Sequence, residues 1–142
     1  MEAHQLSLSV SGTPLAAAEA RRQIAGEIRS WDTDIDSDAL HSAELVTGEL
    51  IANAVQHAGH GPVSVTAQLN GTALRIEVCD SSGELPSPGL PGMHDECGRG
   101  LFIVAALADR FGVEPTPSGK CSWAEISAAG RPAHLPLTPQ RS

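Results

Sequence analysis

Aromatic residues are scarce: two Trp, two Phe and no Tyr, 3% of the chain. Single-stranded nucleic acids are held by stacking bases on such rings, so Trp31, Phe102, Phe111 and Trp123 offer no platform for them. Lysine is scarcer still. Lys120 is the only one among nine Lys and Arg, which face 17 Asp and Glu for a formal net charge of −8. Gripping a phosphate backbone requires a basic stripe, and the sequence has none, so nucleic acid is not expected as a partner. Long apolar runs are missing too. Nothing approaches the roughly 18–20 residues that span a membrane, and the opening MEAHQLSLSV lacks the basic start and apolar stretch of a secretory leader. Three cysteines, at 79, 97 and 121, form no CxxC pair. The odd count points away from a secreted disulfide framework, toward simple buried or loop residues in a reducing cytoplasm. His57, His60, His94 and Cys97 match no ordinary zinc-ligand spacing.

What is present fits one domain over 1–129, followed by a tail at 130–142 whose prolines and lack of periodicity predict disorder. Leu6, Leu8 and Val10 alternate as a short strand. Thr13-Pro14 supplies a helix N-cap and a first-turn proline, and Ala17, Ala20, Ile24, Ile28 and Trp31 continue at helical spacing over 14–31. Asp36 or Ser37 caps a second helix over 37–58, stopped by Gly59, Gly61 and Pro62. VSVTAQL (63–69), the turn signal Asn70-Gly71, and alternating Leu74, Ile76 and Val78 predict an antiparallel hairpin. Residues 84–97, with three prolines and two glycines, read as a loop. GRGLFIVAALADRF (98–111) reads as a glycine-opened helix, and Val113 with Cys121–Ile126 as a closing hairpin. Paired strands with helices grouped apart imply an α+β class: a two-layer α/β sandwich, its sheet mostly antiparallel with helices on one face.

Three features carry chemistry. At about 100° per residue, Glu49, Asn53 and His57 fall near 0°, 40° and 80° on the second helix, a polar stripe entering its apolar arc. It is either a surface stripe that drifts or the wall of a site, with Glu49 as a base and Asn53 as an oxygen ligand for a hard cation such as Mg²⁺. Next, the strand ending at Cys79 runs into Asp80 and a Ser-Ser-Gly turn. Asp80 is either an ordinary turn former or an acceptor for a ligand's exocyclic amine. Finally, Gly98-Arg99-Gly100-Leu101 opens a helix, where free backbone N–H groups and the helix dipole favour an anion. It matches neither the P-loop nor the dinucleotide fingerprint.

Taken together, GELIANAVQHA, VCDSSG, GRGLFIV and SGKCSW resemble the GHKL superfamily of ATP-binding domains over residues 44–126. The ELxxNAxxHA form of the first motif and the small size are most similar to anti-sigma-factor serine/threonine kinases of actinobacterial type. The resemblance implies a Bergerat-type fold with ATP and Mg²⁺ as cofactors. Glu49 is implied as the base, Asn53 as the Mg²⁺ ligand and Asp80 as the partner of the adenine amine. His57, Ser82, Gly83, Gly98, Arg99, Gly100, Leu101 and Cys121 are implied as the rest of the nucleotide site, with 84–97 as a lid. Ser82 departs from a glycine of the family's box, and Cys121 stands where a threonine hydroxyl is usual, a thiol being the weaker partner. The implied activity is γ-phosphoryl transfer to Ser or Thr of a protein antagonist, coupled to sequestering a sigma factor, with a homodimer as the possible assembly. A nucleotide-sensing module without turnover and a small-ligand α+β domain are the competing readings.

Overall fold

Local capping rules set where the first two helices begin. Thr13 is extended, and its hydroxyl accepts from Ala16 N at 3.1 Å, so the first helix starts at Pro14. The Asp36 carboxylate accepts from the backbone N–H groups of Asp38 and Ala39 at 2.9 and 3.2 Å and opens the second. The computed structural model describes residues 4–31, 35–58, 62–81 and 96–129, the side chains of 57, 58 and 96–101 excepted. In chain order the elements are β1 (His4–Val10), α1 (Pro14–Ser30), α2 (Ser37–Ala58), β2 (Val63–Asn70), β3 (Ala73–Asp80), α3 (Glu96–Leu107), β4 (Arg110–Thr116) and β5 (Gly119–Ser127).

The strands form one sheet in the order β1-β2-β3-β5-β4, every neighbouring pair antiparallel. Strand alternation divides it cleanly. Val63, Val65, Ala67 and Leu69 of β2, Leu74, Ile76 and Val78 of β3, and Ala124 and Ile126 of β5 are buried on one face. α2 packs there on β3 and β5, between α1 and α3. It contributes Ala43, Val46, Leu50, Ile51 and Ala54 to the same core. Each large side chain so buried stabilises the fold by roughly 1.5–3 kcal/mol. The two-layer α+β sandwich expected from the sequence is the observed architecture.

The β2–β3 turn uses the expected residues shifted by one. Asn70 still pairs with Ala73, so Gly71-Thr72 is the two-residue loop. Gly71 has φ +60°, as the first central position of a type II′ turn requires. The helix expected over 98–111 runs instead over Glu96–Leu107. Its end is set by the sheet: Asp109 N donates to the Glu125 carbonyl, the Asp109 carboxylate accepts from Ser127 N at 2.8 Å, and Arg110 pairs with Glu125. Strand pairing along β5 thus takes Arg110 and Phe111 out of the expected helix and into β4. Pro115 is accommodated because β4 is an edge strand.

The cysteines also need correction. Register places Cys79 directly opposite Cys121, with Cα atoms 4.0 Å apart, and the two form a disulfide. They are therefore not simple buried or loop residues; a cross-strand pairing invisible in the spacing joins two central strands. Of the loop expected over 84–97, Glu96 and Cys97 belong to α3 instead, and 84–95, like Ser82, Gly83 and 130–142, lie outside the described residues.

Candidate functional site

α2 carries Glu49 and Asn53 one turn apart, on a helix laid across β3 and β5. Asn53 is buried at 8% exposure and Glu49 is half-buried, so the stripe read from the sequence does enter the protein rather than stay on the wet surface. Thr47, also on α2, is fully buried.

Asp80 is the last residue of β3, and alternation from Leu74, Ile76 and Val78 turns it to the helix side. Directly opposite stands Lys120, the second residue of β5. Lys120 Nζ donates to Asp80 Oδ1 at 3.0 Å and Oδ2 at 2.8 Å, and both side chains are 1% exposed. Taking two charges out of water costs several kcal/mol each, returned only when the geometry is good and the bonds are made, as here. Next to Lys120, Gly119 brings the backbones together. A Cβ at that position would overlap the Asp80 carbonyl oxygen, so the close approach of β5 to the end of β3 depends on glycine.

The resemblance puts Lys120 with Cys121 in the last motif, near the base pocket, but of the two only Cys121 enters the expected site. Cys121 is not brought to the others. One residue further along β5, it lies on the opposite face of the sheet, tied to Cys79. The inward positions in the SGKCSW segment belong to Lys120 and Ser122. Gly98, Arg99, Gly100 and Leu101 fall within the first turns of α3, with Gly98 and Arg99 among the first four residues, whose backbone N–H groups have no partner inside the helix. Their side chains and that of His57 lie outside the described residues, as do Ser82 and Gly83. Among the described residues, no group of three or more His, Cys, Asp or Glu is placed to hold a metal ion.

The outer face of the sheet is of another kind. Arg75 and Arg110 flank the Trp123 ring at 4.4 and 5.8 Å from its centroid. Glu125 receives Arg75 at 2.8 Å and Arg110 at 3.4 Å. These half-exposed contacts stiffen β3, β4 and β5 against one another and leave the inner face to the site.

A buried amide and a half-buried carboxylate on α2, a buried carboxylate–ammonium pair at a strand end, and a helix beginning at α3 form the inner layer of one sandwich. The family model of the histidine kinase-like ATPase domain matches residues 10–126, which holds all of them. The chain belongs to that family. An uncharacterized protein of Streptomyces coelicolor, SCO4941, is 37% identical over 70 residues, covering 46% of this chain and 67% of that protein. The histidine kinase domain of a blue-light activated histidine kinase from Erythrobacter litoralis EL346 superposes with a TM-score of 0.54 at 17% identity. That alignment covers 80% of this chain and 60% of the other, and it shows a shared fold. This histidine kinase-like domain spans less than two thirds of that neighbour. Among its described residues, no helix is long and apolar enough to cross a membrane.

Proposed function

We propose that the chain binds Mg-ATP between α2, α3 and the end of β3, and acts as a regulatory serine/threonine protein kinase of the anti-sigma-factor kind. The observation that carries this reading is the inner-layer placement of Asn53, Glu49 and Asp80 on two elements that pack together. The donor set suits the ligand. Asn53 offers a hard amide oxygen for Mg²⁺, Asp80 a carboxylate for the base amine, and the first residues of α3 free N–H groups for phosphate oxygens. Bound Mg²⁺ would neutralise charge on the β- and γ-phosphates. Glu49 orients the acceptor hydroxyl and takes its proton, while Arg99 adds a planar fork for phosphate.

The protein substrate in this reading is a Ser- or Thr-bearing antagonist, and the sequestered partner a sigma factor, with a homodimer as the assembly. The test is radiolabelled ATP with a candidate antagonist, calorimetry following nucleotide binding in parallel. Glu49→Ala is expected to bind ATP within a few-fold of the wild type and to lose phosphoprotein formation by at least about a hundredfold, the usual scale for a general base. Normal transfer by Glu49→Ala removes Glu49 from that role. Binding without transfer to any partner assigns the alternative, a nucleotide-sensing module. No rise in melting temperature with millimolar Mg-ATP rejects both.

A further inference from the structure

The Cys79–Cys121 disulfide and the Asp80–Lys120 ion pair join the same two strands one residue apart, on opposite faces of the sheet. The ion pair is sealed inside, whereas both cysteines are only half-buried on the outer face. Little stands over the sulfurs. Ser64 of β2 lies directly opposite Cys79, Glu114 of β4 lies directly opposite Cys121, and both are exposed. Two residues before Cys121 is Gly119, with no side chain. Trp123, the bulky neighbour on that face of β5, has its ring over Gly112 and flanked by Arg75 and Arg110. Both arginines are level with Glu125, on the side of Trp123 remote from Cys121. The helices bury their apolar residues in the inner layer. A thiol can therefore approach the bond without the core opening, and access is one of the terms that set the rate of thiol–disulfide exchange.

What the bond holds is the end of both strands. Asp80 is the last residue of β3, Lys120 is the second of β5, and Gly119 lets the two backbones touch there. Ends of elements open at lower free energy than their centres. With the disulfide closed, the separation of Cys79 and Cys121 is fixed covalently, and their chain neighbours Asp80 and Lys120 are held with them. With it open, only strand hydrogen bonds and the ion pair secure that end.

We propose that Cys79–Cys121 is a thiol–disulfide exchange site, opened by a dithiol, whose state sets how firmly β5 holds the end of β3. A thiolate of the dithiol attacks one sulfur and forms a mixed disulfide, while the other cysteine leaves as a thiolate and takes up a proton. The dithiol's second thiol loses its proton and attacks its own partner sulfur in the mixed disulfide. That frees the remaining cysteine, which is protonated in turn. Two electrons and two protons pass to the chain, and the dithiol ends as a disulfide. Re-formation is the reverse, with a disulfide as the oxidant. Resting on the nucleotide reading above, the consequence for the ligand is that the reduced chain must order this strand end on binding, and so binds Mg-ATP more weakly.

The test uses the oxidised full chain carrying Cys97→Ser, which leaves Cys79 and Cys121 as its only cysteines. Dithiothreitol is the reductant, and alkylation read by mass spectrometry counts the thiols. Two new thiols are expected, at a rate proportional to dithiothreitol and constant within about twofold as urea rises below the unfolding transition, because exchange at an accessible bond needs no unfolding. A rate that climbs in step with the unfolded fraction overturns the exchange site. Far-ultraviolet circular dichroism is expected to be the same in both states, and loss of the helical signal on reduction overturns the proposal, since a switch needs two folded states. Amide exchange at Lys120 is expected to speed up on reduction at least about tenfold more than at Ile24 of α1, where only global stability acts. Equal acceleration at the two overturns the coupling to the strand end. In calorimetry the reduced chain is expected to bind Mg-ATP about fivefold more weakly than the oxidised one, and equal affinities overturn the consequence for the ligand. If neither state gives binding heat, the nucleotide reading has failed, and the reduction rate and amide exchange still decide this proposal without ATP.

Discussion

Asp80 and Lys120 show how much one pair of side chains can decide. Each is tolerable in the core only because the other is there, so removing either leaves an uncompensated charge. Asp80→Ala is expected to lower the unfolding free energy by about 3–5 kcal/mol in urea titration. Asp80→Asn, which keeps an acceptor, should lose less, and equal losses for the two would mean that the carboxylate's charge alone, and not its acceptor, is what Asp80 supplies. Gly119 is bound to the same local arrangement. A methyl group there has nowhere to go but into the Asp80 carbonyl, so Gly119→Ala should both destabilise the chain and separate β5 from the end of β3. Amide hydrogen exchange at Lys120 and Cys121 would register that separation as faster exchange than in the wild type. None of this was legible in the residue types. Asp80 stood out as a strand-end carboxylate, but its partner is 40 positions away and needed the register to be found.

Elements were the most readable level, because caps, turns and periodicity are local. Thr13 and Asp36 open their helices through hydrogen bonds spanning two or three residues. Thr13→Ala is accordingly expected to cost about 1 kcal/mol, measured by urea unfolding, with the fold otherwise unchanged. Gly71, at φ +60°, is the one residue of positive φ among the described residues, and Gly71→Val should cost about 1–2 kcal/mol in the same assay. Where elements were misread, a longer-range contact had intervened. The pattern of residues 98–111 is helical throughout, yet Asp109 and Arg110 bond to β5 and the chain leaves α3 at Leu107. Sheet hydrogen bonds along seven residues outweigh one more turn of helix whose propensity differences are fractions of a kcal/mol per residue.

At the scale of the whole molecule, two central strands are held together twice, by the ion pair inside and by the Cys79–Cys121 disulfide outside. The disulfide closes a loop of sequence separation 42, which restricts the unfolded chain by about 4 kcal/mol in the chain-entropy description. The double variant Cys79→Ser, Cys121→Ser should therefore unfold at lower urea than the oxidised wild type, and reduction of the wild type should reproduce most of the difference. A reductant without effect on the wild type would mean that the bond does not contribute. The acidity of the chain acts at this scale as well. A net charge of −8 repels polyanions in general, so the proposed nucleotide binding would rest on local groups, the α3 N–H groups and a divalent cation among them. ATP affinity is expected to fall at least about tenfold when Mg²⁺ is removed with a chelator, and equal affinity would count against the proposed site.

By itself the sequence determined the order and kind of the elements, the antiparallel hairpin at Gly71, the polar stripe of α2 and the family to which the chain belongs. These follow from period, caps and short motifs, interactions that reach only a few residues along the chain. Tertiary structure alone decided that Cys121 faces away from the site while Lys120 faces into it, that Cys79 and Cys121 meet, and that α3 yields to β4. Each of those depends on which strand lies beside which and in what register, and a shift of one residue would have reversed every side chain.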